Sequence, residues 1–173
     1  MKLLKWVRFS WDLTKLSSEV LALPKHYQIS PAKKEDETEL RKVLSSSFLL
    51  DPAWNPAIAE VMQTLQSWLD RAFASDGCTC LALRHGTRII GASILSLDPD
   101  AESHLVPGPC ILMEYRNRDF GTHLLERSLN LLREGGLARA IGLARELAPV
   151  TKFLYPKFNG VVLPQSNPVL LAA

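Results

Sequence analysis

Residues 58–97 constrain the fold more than any other stretch. Ile58, Val61, Met62, Leu65, Trp68, Leu69 and Phe73 recur at three- and four-residue steps, so a helix here would carry one continuous apolar stripe. Ala74-Ser-Asp-Gly77 ends that pattern, and two β-type runs follow at once: Cys78 to Arg84 and the Ile-rich Arg88 to Leu97, joined by His85-Gly86-Thr87. A helix leading into a tight hairpin cannot be one unit of a doubly wound parallel sheet, because parallel neighbours need a crossover between them. The expected class is therefore mixed α/β (α+β) rather than a doubly wound alternation.

The flanking segments agree. Tyr27-Gln-Ile-Ser reads as a short strand. Leu40, Val43, Leu44 and Phe48 give helical spacing to Glu37–Phe48. Asn55 before Pro56 has the form of an N-cap with proline at the first helical position. His104 to Met113 is apolar but interrupted by Pro107-Gly108-Pro109, which suggests a bulge or a strand unable to pair on both sides. Leu124, Leu125, Leu129 and Leu132 form one stripe of a helix over 121–133, closed by Gly135-Gly136. Leu137 to Leu147 fits strand or helix. Pro149 opens a last short helix to about Lys157, and 160–163 and 168–171 read as two closing strands. The first segment is ambiguous too. Leu3, Leu4, Val7 and Trp11 have helical spacing, whereas Val7, Phe9, Trp11 and Leu13 alternate as in a strand.

Length and charge narrow the functions. A chain of 173 residues makes one domain. Twenty Lys and Arg balance 18 Asp and Glu, which gives no basic excess for a nucleic-acid backbone. No apolar run is long enough to span a membrane. Arg8 and Asp12 break the N-terminal apolar stretch, and no small-residue cleavage site follows, so no signal peptide is expected. Cys78, Cys80 and Cys110 lack the spacing of a metal site and are expected as reduced thiols in the cytoplasm, with no metal bound.

Chemistry concentrates at Cys110-Ile-Leu-Met-Glu-Tyr-Arg-Asn-Arg-Asp-Phe-Gly-Thr-His. An apolar strand runs into a basic turn, and a helix starts at its end. The first amides of a helix have no intrahelical partner, and the helix dipole is positive there. With Arg116 and Arg118 beside them, these amides have the design of an anion site.

Tyr115-Arg-Asn-Arg-Asp-Phe-Gly-Thr resembles the acyl-CoA loop of the GNAT superfamily of N-acetyltransferases, whose pattern is [Arg/Gln]-x-x-Gly-x-[Gly/Ala]. Tyr27-Gln-Ile-Ser-Pro-Ala-Lys-Lys-Glu-Asp-Glu-Thr-Glu-Leu is similar to the family's first strand and helix. Arg88-Ile-Ile-Gly-Ala resembles its third strand, and Lys152-Phe-Leu-Tyr-Pro-Lys-Phe its final helix. The resemblance implies a mixed, mostly antiparallel central sheet with a splayed fourth and fifth strand pair, flanked by about four helices. It implies a domain over residues 27–173, with 1–26 as an N-terminal extension packed on the core or on a partner.

It further implies that acetyl-CoA is the co-substrate and that a small-molecule or peptide amine is the acceptor. Its pyrophosphate would meet Arg116, Asn117, Arg118, Asp119, Phe120, Gly121 and Thr122. Its pantetheine arm would lie along Ile111, Leu112 and Met113. Tyr155 would protonate the leaving thiolate. Glu102 and His104 stand where some members place a general base, and a homodimer is possible. Three positions depart from the pattern: Asp119 replaces its first glycine, Ala148 a usual asparagine, and Phe158-Asn-Gly the usual Gly-Phe. These departures also admit a catalytically weak acyl-CoA-binding or sensor module.

Overall fold

The computed structural model describes residues 6–74, 77–105, 108–146 and 148–164. Among these residues seven strands and three α-helices follow in order: β1 (Trp6–Asp12), β2 (Tyr27–Pro31), α1 (Glu37–Leu49), α2 (Ile58–Phe73), β3 (Cys78–His85), β4 (Arg88–Ser96), β5 (Cys110–Ile111), α3 (Phe120–Glu134), β6 (Arg139–Arg145) and β7 (Val161–Val162). The helices expected at 37–48, 58–73 and 121–133 are present, and so is the hairpin. Gly86 turns it at φ +59°, a conformation most side chains avoid. The start of α2 differs from expectation. Asn55 does not cap it, because Pro52–Ala57 winds as a tight 3₁₀ turn with Pro56 inside, and Ala57 stands at the helix start without a side-chain cap. The last helix is a single wide turn over Val150–Leu154, closed by the bond from Tyr155 N–H to the Val150 carbonyl. The closing strand expected over 168–171 lies outside the described residues.

The strands form two groups, in the orders β2-β3-β4-β5 and β6-β1-β7, with every pair antiparallel. β4 is buried from Ile89 to Ser96, so both faces of the first group are covered; α1, α2 and α3 all pack against it. The ambiguous first segment is a strand over Trp6–Asp12. It pairs along its whole length with β6, from Trp6 opposite Arg145 to Asp12 opposite Arg139. Trp11 is fully buried. Its Nε1 donates to the Lys157 carbonyl, and its ring meets Tyr155 edge-on at 5.1 Å. Gly142 makes that contact possible, since a Cβ there would lie 2.9 Å from the Trp11 ring. Leu97, Asp98 and the chain to His104 connect the groups.

Among the described residues, the two groups are bridged at His104 and Leu105. Leu105 bridges to Leu95 of β4 on one side and to Gly142 of β6 on the other. His104 reinforces the junction: its carbonyl accepts from Ser96 N–H and its own N–H donates to the Ile141 carbonyl. Beyond it the sheet divides. Pro109 has no N–H to donate to either strand group. When the chain resumes as Cys110–Ile111, it pairs only with β4.

Candidate active site

The division of the sheet opens a cleft of about 770 Å³ between β5 and β6. Cys110 and Ile111 line one wall and Leu143 and Ala144 the other. Leu112 N–H pairs with the Ile90 carbonyl of β4, so the peptide groups of Ile111 turn the other way, toward the cleft. α1 and α2 contribute Phe48, Val61 and Leu65, and Trp6, Trp54 and the start of α3 also line it.

Asn117 and Asp119 are both left-handed, at φ 62° and 65°. Asp119 thus keeps the backbone shape of the glycine it replaces, as aspartate can. Thr122 and His123 make the first intrahelical bonds, to the Asp119 carbonyl, so the Phe120 and Gly121 amides precede them. A Cβ at Gly121 would meet only Leu154, at 3.4 Å. The Asp119 carboxylate accepts from Thr122 Oγ1 at 2.6 Å, and Lys157 Nζ lies 3.3 Å from it and 2.5 Å from Thr122 Oγ1. The Thr122 bond, with the Lys157 ammonium, holds the Asp119 carboxyl below the usual carboxylate range.

The two arginines of the loop behave differently from expectation. Arg116 lines the cleft but is spent on the fold. Its guanidinium donates to the Ile111 carbonyl, to Asp51 and to the Ser47 carbonyl at 2.9–3.1 Å. Arg118 is exposed, outside the cleft wall, with its guanidinium 5.5 Å from the Tyr115 ring centre.

Tyr155 lines the cleft, almost wholly buried against Phe9 and Trp11. Its hydroxyl donates to the Gly108 carbonyl at 2.7 Å. Burial pushes its pKa above the ordinary tyrosine value, so the phenol keeps its proton. Burial also pushes the Cys110 thiol up to about 12, which removes a reactive thiolate from the same wall.

The structure brings Ile111, Met113, Arg116, Asn117, Asp119, Phe120, Gly121, Thr122 and Tyr155 to the cleft. Leu112, Arg118, Glu102 and His104 are not on its wall. Glu102 is exposed and pairs with Arg8 at 3.4 Å. His104 does not serve as a base, because both ring nitrogens are taken. Its Nδ1 accepts from Ile141 N–H and its Nε2 donates to the Asp98 carbonyl, each at 2.9 Å. Burial lowers its pKa, so it stands neutral as a pin between the two strand groups. Lys157, Asp51 and the Trp6–Trp54 pair are site residues that the sequence did not single out. Only Lys157 had a signal, two residues after Tyr155 in the final motif.

Solved structures share this fold. A GCN5-related N-acetyltransferase from Sphaerobacter thermophilus matches with a TM-score of 0.64 at 11% identity, over 94% of this chain and 50% of its own. A GNAT-family acetyltransferase from Colwellia psychrerythraea gives 0.64 at 13% identity, over 92% and 53%. The fold is that of the GNAT N-acetyltransferases. A further GCN5-related N-acetyltransferase, from Rhodopseudomonas palustris, matches at 0.50 with 17% identity, over 67% and 71%. The chain spans about half the length of the first two structures. No protein-family model and no curated protein sequence matches it. In GNAT terms, β5 and β6 are the splayed pair expected from the sequence, and the cleft lies in the splay.

Proposed function

We propose that the protein moves an acetyl group from acetyl-CoA to a primary amine, by direct attack while both are bound. One observation carries this reading: residues at the start of α3, the edge of β5 that faces away from β4 and the Tyr155 side chain line a single cleft. Its volume is that of a small-molecule site. In this reading the Phe120 and Gly121 amides and Lys157 face the pyrophosphate, and the pantetheine lies along Ile111. The amine lone pair attacks the thioester carbon and the C–S bond breaks. The thiolate takes the Tyr155 proton, and the nitrogen gives up its own to water. A phenol remains protonated at neutral pH and so has a proton or a hydrogen bond to offer the thiolate as it forms. The neutral Cys110 favours direct transfer over an acetyl-cysteine intermediate.

Thiol release and calorimetry with CoA test the proposal. Tyr155→Phe should lower kcat about 10²-fold, the usual scale for an acid–base group. An unchanged kcat would remove Tyr155 from the chemistry.

The alternative, a weakly catalytic acyl-CoA sensor, draws support from the loop itself. Asp119 sets a carboxylate where the phosphates would sit, and Arg116 is occupied by the fold. Asp119→Gly suits the left-handed backbone and removes the negative charge. It should tighten CoA binding about tenfold, or ~1.4 kcal/mol. Equal affinity in calorimetry would mean that Asp119 does not oppose the anion.

A further inference from the structure

One polar atom beside the cleft has nothing to bond. The Ser93 side chain on β4 is fully buried, and its Oγ has no hydrogen-bond partner. Buried hydroxyls are ordinarily bonded, so an orphan calls for a physical account. The register of the sheet supplies its surroundings. β4 pairs Ala92 with Cys110 and bridges Leu95 to Leu105, so Ser93 and Ile94 face a longer piece of chain that includes Gly108 and Pro109. Gly108 stands against Ser93: a Cβ on it would fall 2.7 Å from Ser93 Oγ, 3.2 Å from its Cβ and 3.3 Å from its Cα. Gly108 also lines the cleft, and its carbonyl accepts the Tyr155 phenol at 2.7 Å. The same residue thus adjoins both the unbonded hydroxyl and the proposed acid.

In the free protein the Tyr155 proton is donated to the Gly108 carbonyl, and the phenol can serve a departing thiolate only by leaving that carbonyl. A part-buried carbonyl so vacated loses its partner, which opposes the turn. The Ser93 hydroxyl is a neighbouring donor with no other engagement. A serine Oγ has three staggered positions, and its hydrogen turns to suit. We infer that Ser93 is a positioning residue for Tyr155: its hydroxyl takes over the Gly108 carbonyl when the phenol turns to the sulfur of the acyl donor. This role rests on the acetyl-transfer reading, with Tyr155 as the acid. No covalent bond changes in the exchange. Before it, one buried hydroxyl is unbonded; after it, serine, carbonyl and phenol all have partners. The orphan hydroxyl is thus a cost carried by the resting site and relieved as the C–S bond breaks, which lowers the barrier rather than tightening substrate binding.

Four proteins test the exchange: wild type, Ser93→Ala, Tyr155→Phe and the double variant. Stability is read from urea unfolding without ligand. Turnover is read from thiol release by acetyl-CoA, with benzylamine, aniline or a lysine peptide as acceptor. Ser93→Ala removes a hydroxyl that has no partner, so the urea midpoint should hold or rise. Its kcat should fall about tenfold with the acetyl-CoA KM unmoved, because the lost bond forms only once the phenol has turned. In the Tyr155→Phe background no phenol turns, and the same change should alter kcat by less than about twofold. An unchanged kcat in Ser93→Ala would overturn the inference. So would an equal loss in both backgrounds, the mark of a merely structural role. A lowered urea midpoint would overturn it too, since the hydroxyl would then be bonded in the free protein. Each of these results leaves acetyl transfer standing. Tyr155→Phe as active as wild type would remove the acid and the exchange together. A wild type that releases no thiol with any of the three acceptors would remove the acetyl-transfer reading and this inference with it.

Discussion

The two strand groups are held together by different means. In β2-β3-β4-β5 each strand pairs with its neighbour in sequence, and β3 and β4 are joined by a two-residue turn. In β6-β1-β7 the central strand comes from the start of the described chain and both partners come from its end. The first group gains stability position by position, along a β4 buried on both faces. The second depends on one aromatic cluster of Phe9, Trp11 and Tyr155, closed over Gly142. Tyr155, the proposed acid, belongs to that cluster. The chemistry is thus seated on the half that relies on a few large side chains.

Three perturbations test how far that contrast holds. Trp11→Ala should have the largest effect, about 3–5 kcal/mol, since a fully buried ring is lost and a cavity remains. Urea unfolding measures the loss. Hydrogen exchange should show it falling mainly on Arg139–Arg145 rather than on the β3–β4 hairpin. A loss under about 1 kcal/mol would break the contrast.

Gly142→Ala should come next, at about 1–3 kcal/mol. Its Cβ would stand 2.9 Å from the Trp11 ring and 3.0 Å from that of Tyr155, so one ring must leave its place. A crystal structure of the variant should show Tyr155 shifted. An unshifted ring would mean that Trp11 alone gives way.

The smallest effect is a pH dependence at the junction. His104 is buried neutral, with a folded pKa below the ordinary value of 6.5. Below pH 6.5 the unfolded chain therefore binds more protons at this residue than the folded one. Its contribution to stability is complete above pH 6.5 and is lost as the pH falls toward the folded pKa. The urea midpoint should drop between pH 7 and 5.5, and less so in His104→Asn. Equal slopes in both proteins would assign the dependence to other groups.

The sequence was legible where contacts are local. The stripe from Ile58 to Phe73, the hairpin around Gly86 and the leucines of α3 each carry their own period, and the structure realises all of them. Segment 6–12 could not be read that way. Seven residues fit helix and strand templates alike, and its partner β6 was itself ambiguous by pattern. Asn55-Pro56 misled because Pro52 begins a tight turn that absorbs both residues.

The site divides along the same line. The 116–122 loop and Tyr155 came from a resemblance carried by contiguous motifs. The pairs Asp51–Arg116 and Trp6–Trp54 join residues that only the fold brings together. His104 looked like a base because spacing does not reveal that backbone groups occupy both its nitrogens.

The place of β1 has a consequence for synthesis. Ser10 and Arg139, bonded across the β1–β6 pair, are 129 residues apart, and Trp11 and Lys157 are 146 apart. A hairpin such as β3–β4 can close within about 1–10 μs of leaving the ribosome. At about 5–20 residues per second, β1 waits on the order of ten seconds before β6 exists. Throughout that interval Phe9 and Trp11 have no sheet to enter, and an unpaired apolar strand is what chaperones bind and aggregates recruit. Sheltering of the nascent chain over that interval therefore bears on the yield of folded protein alongside the stability of the finished fold.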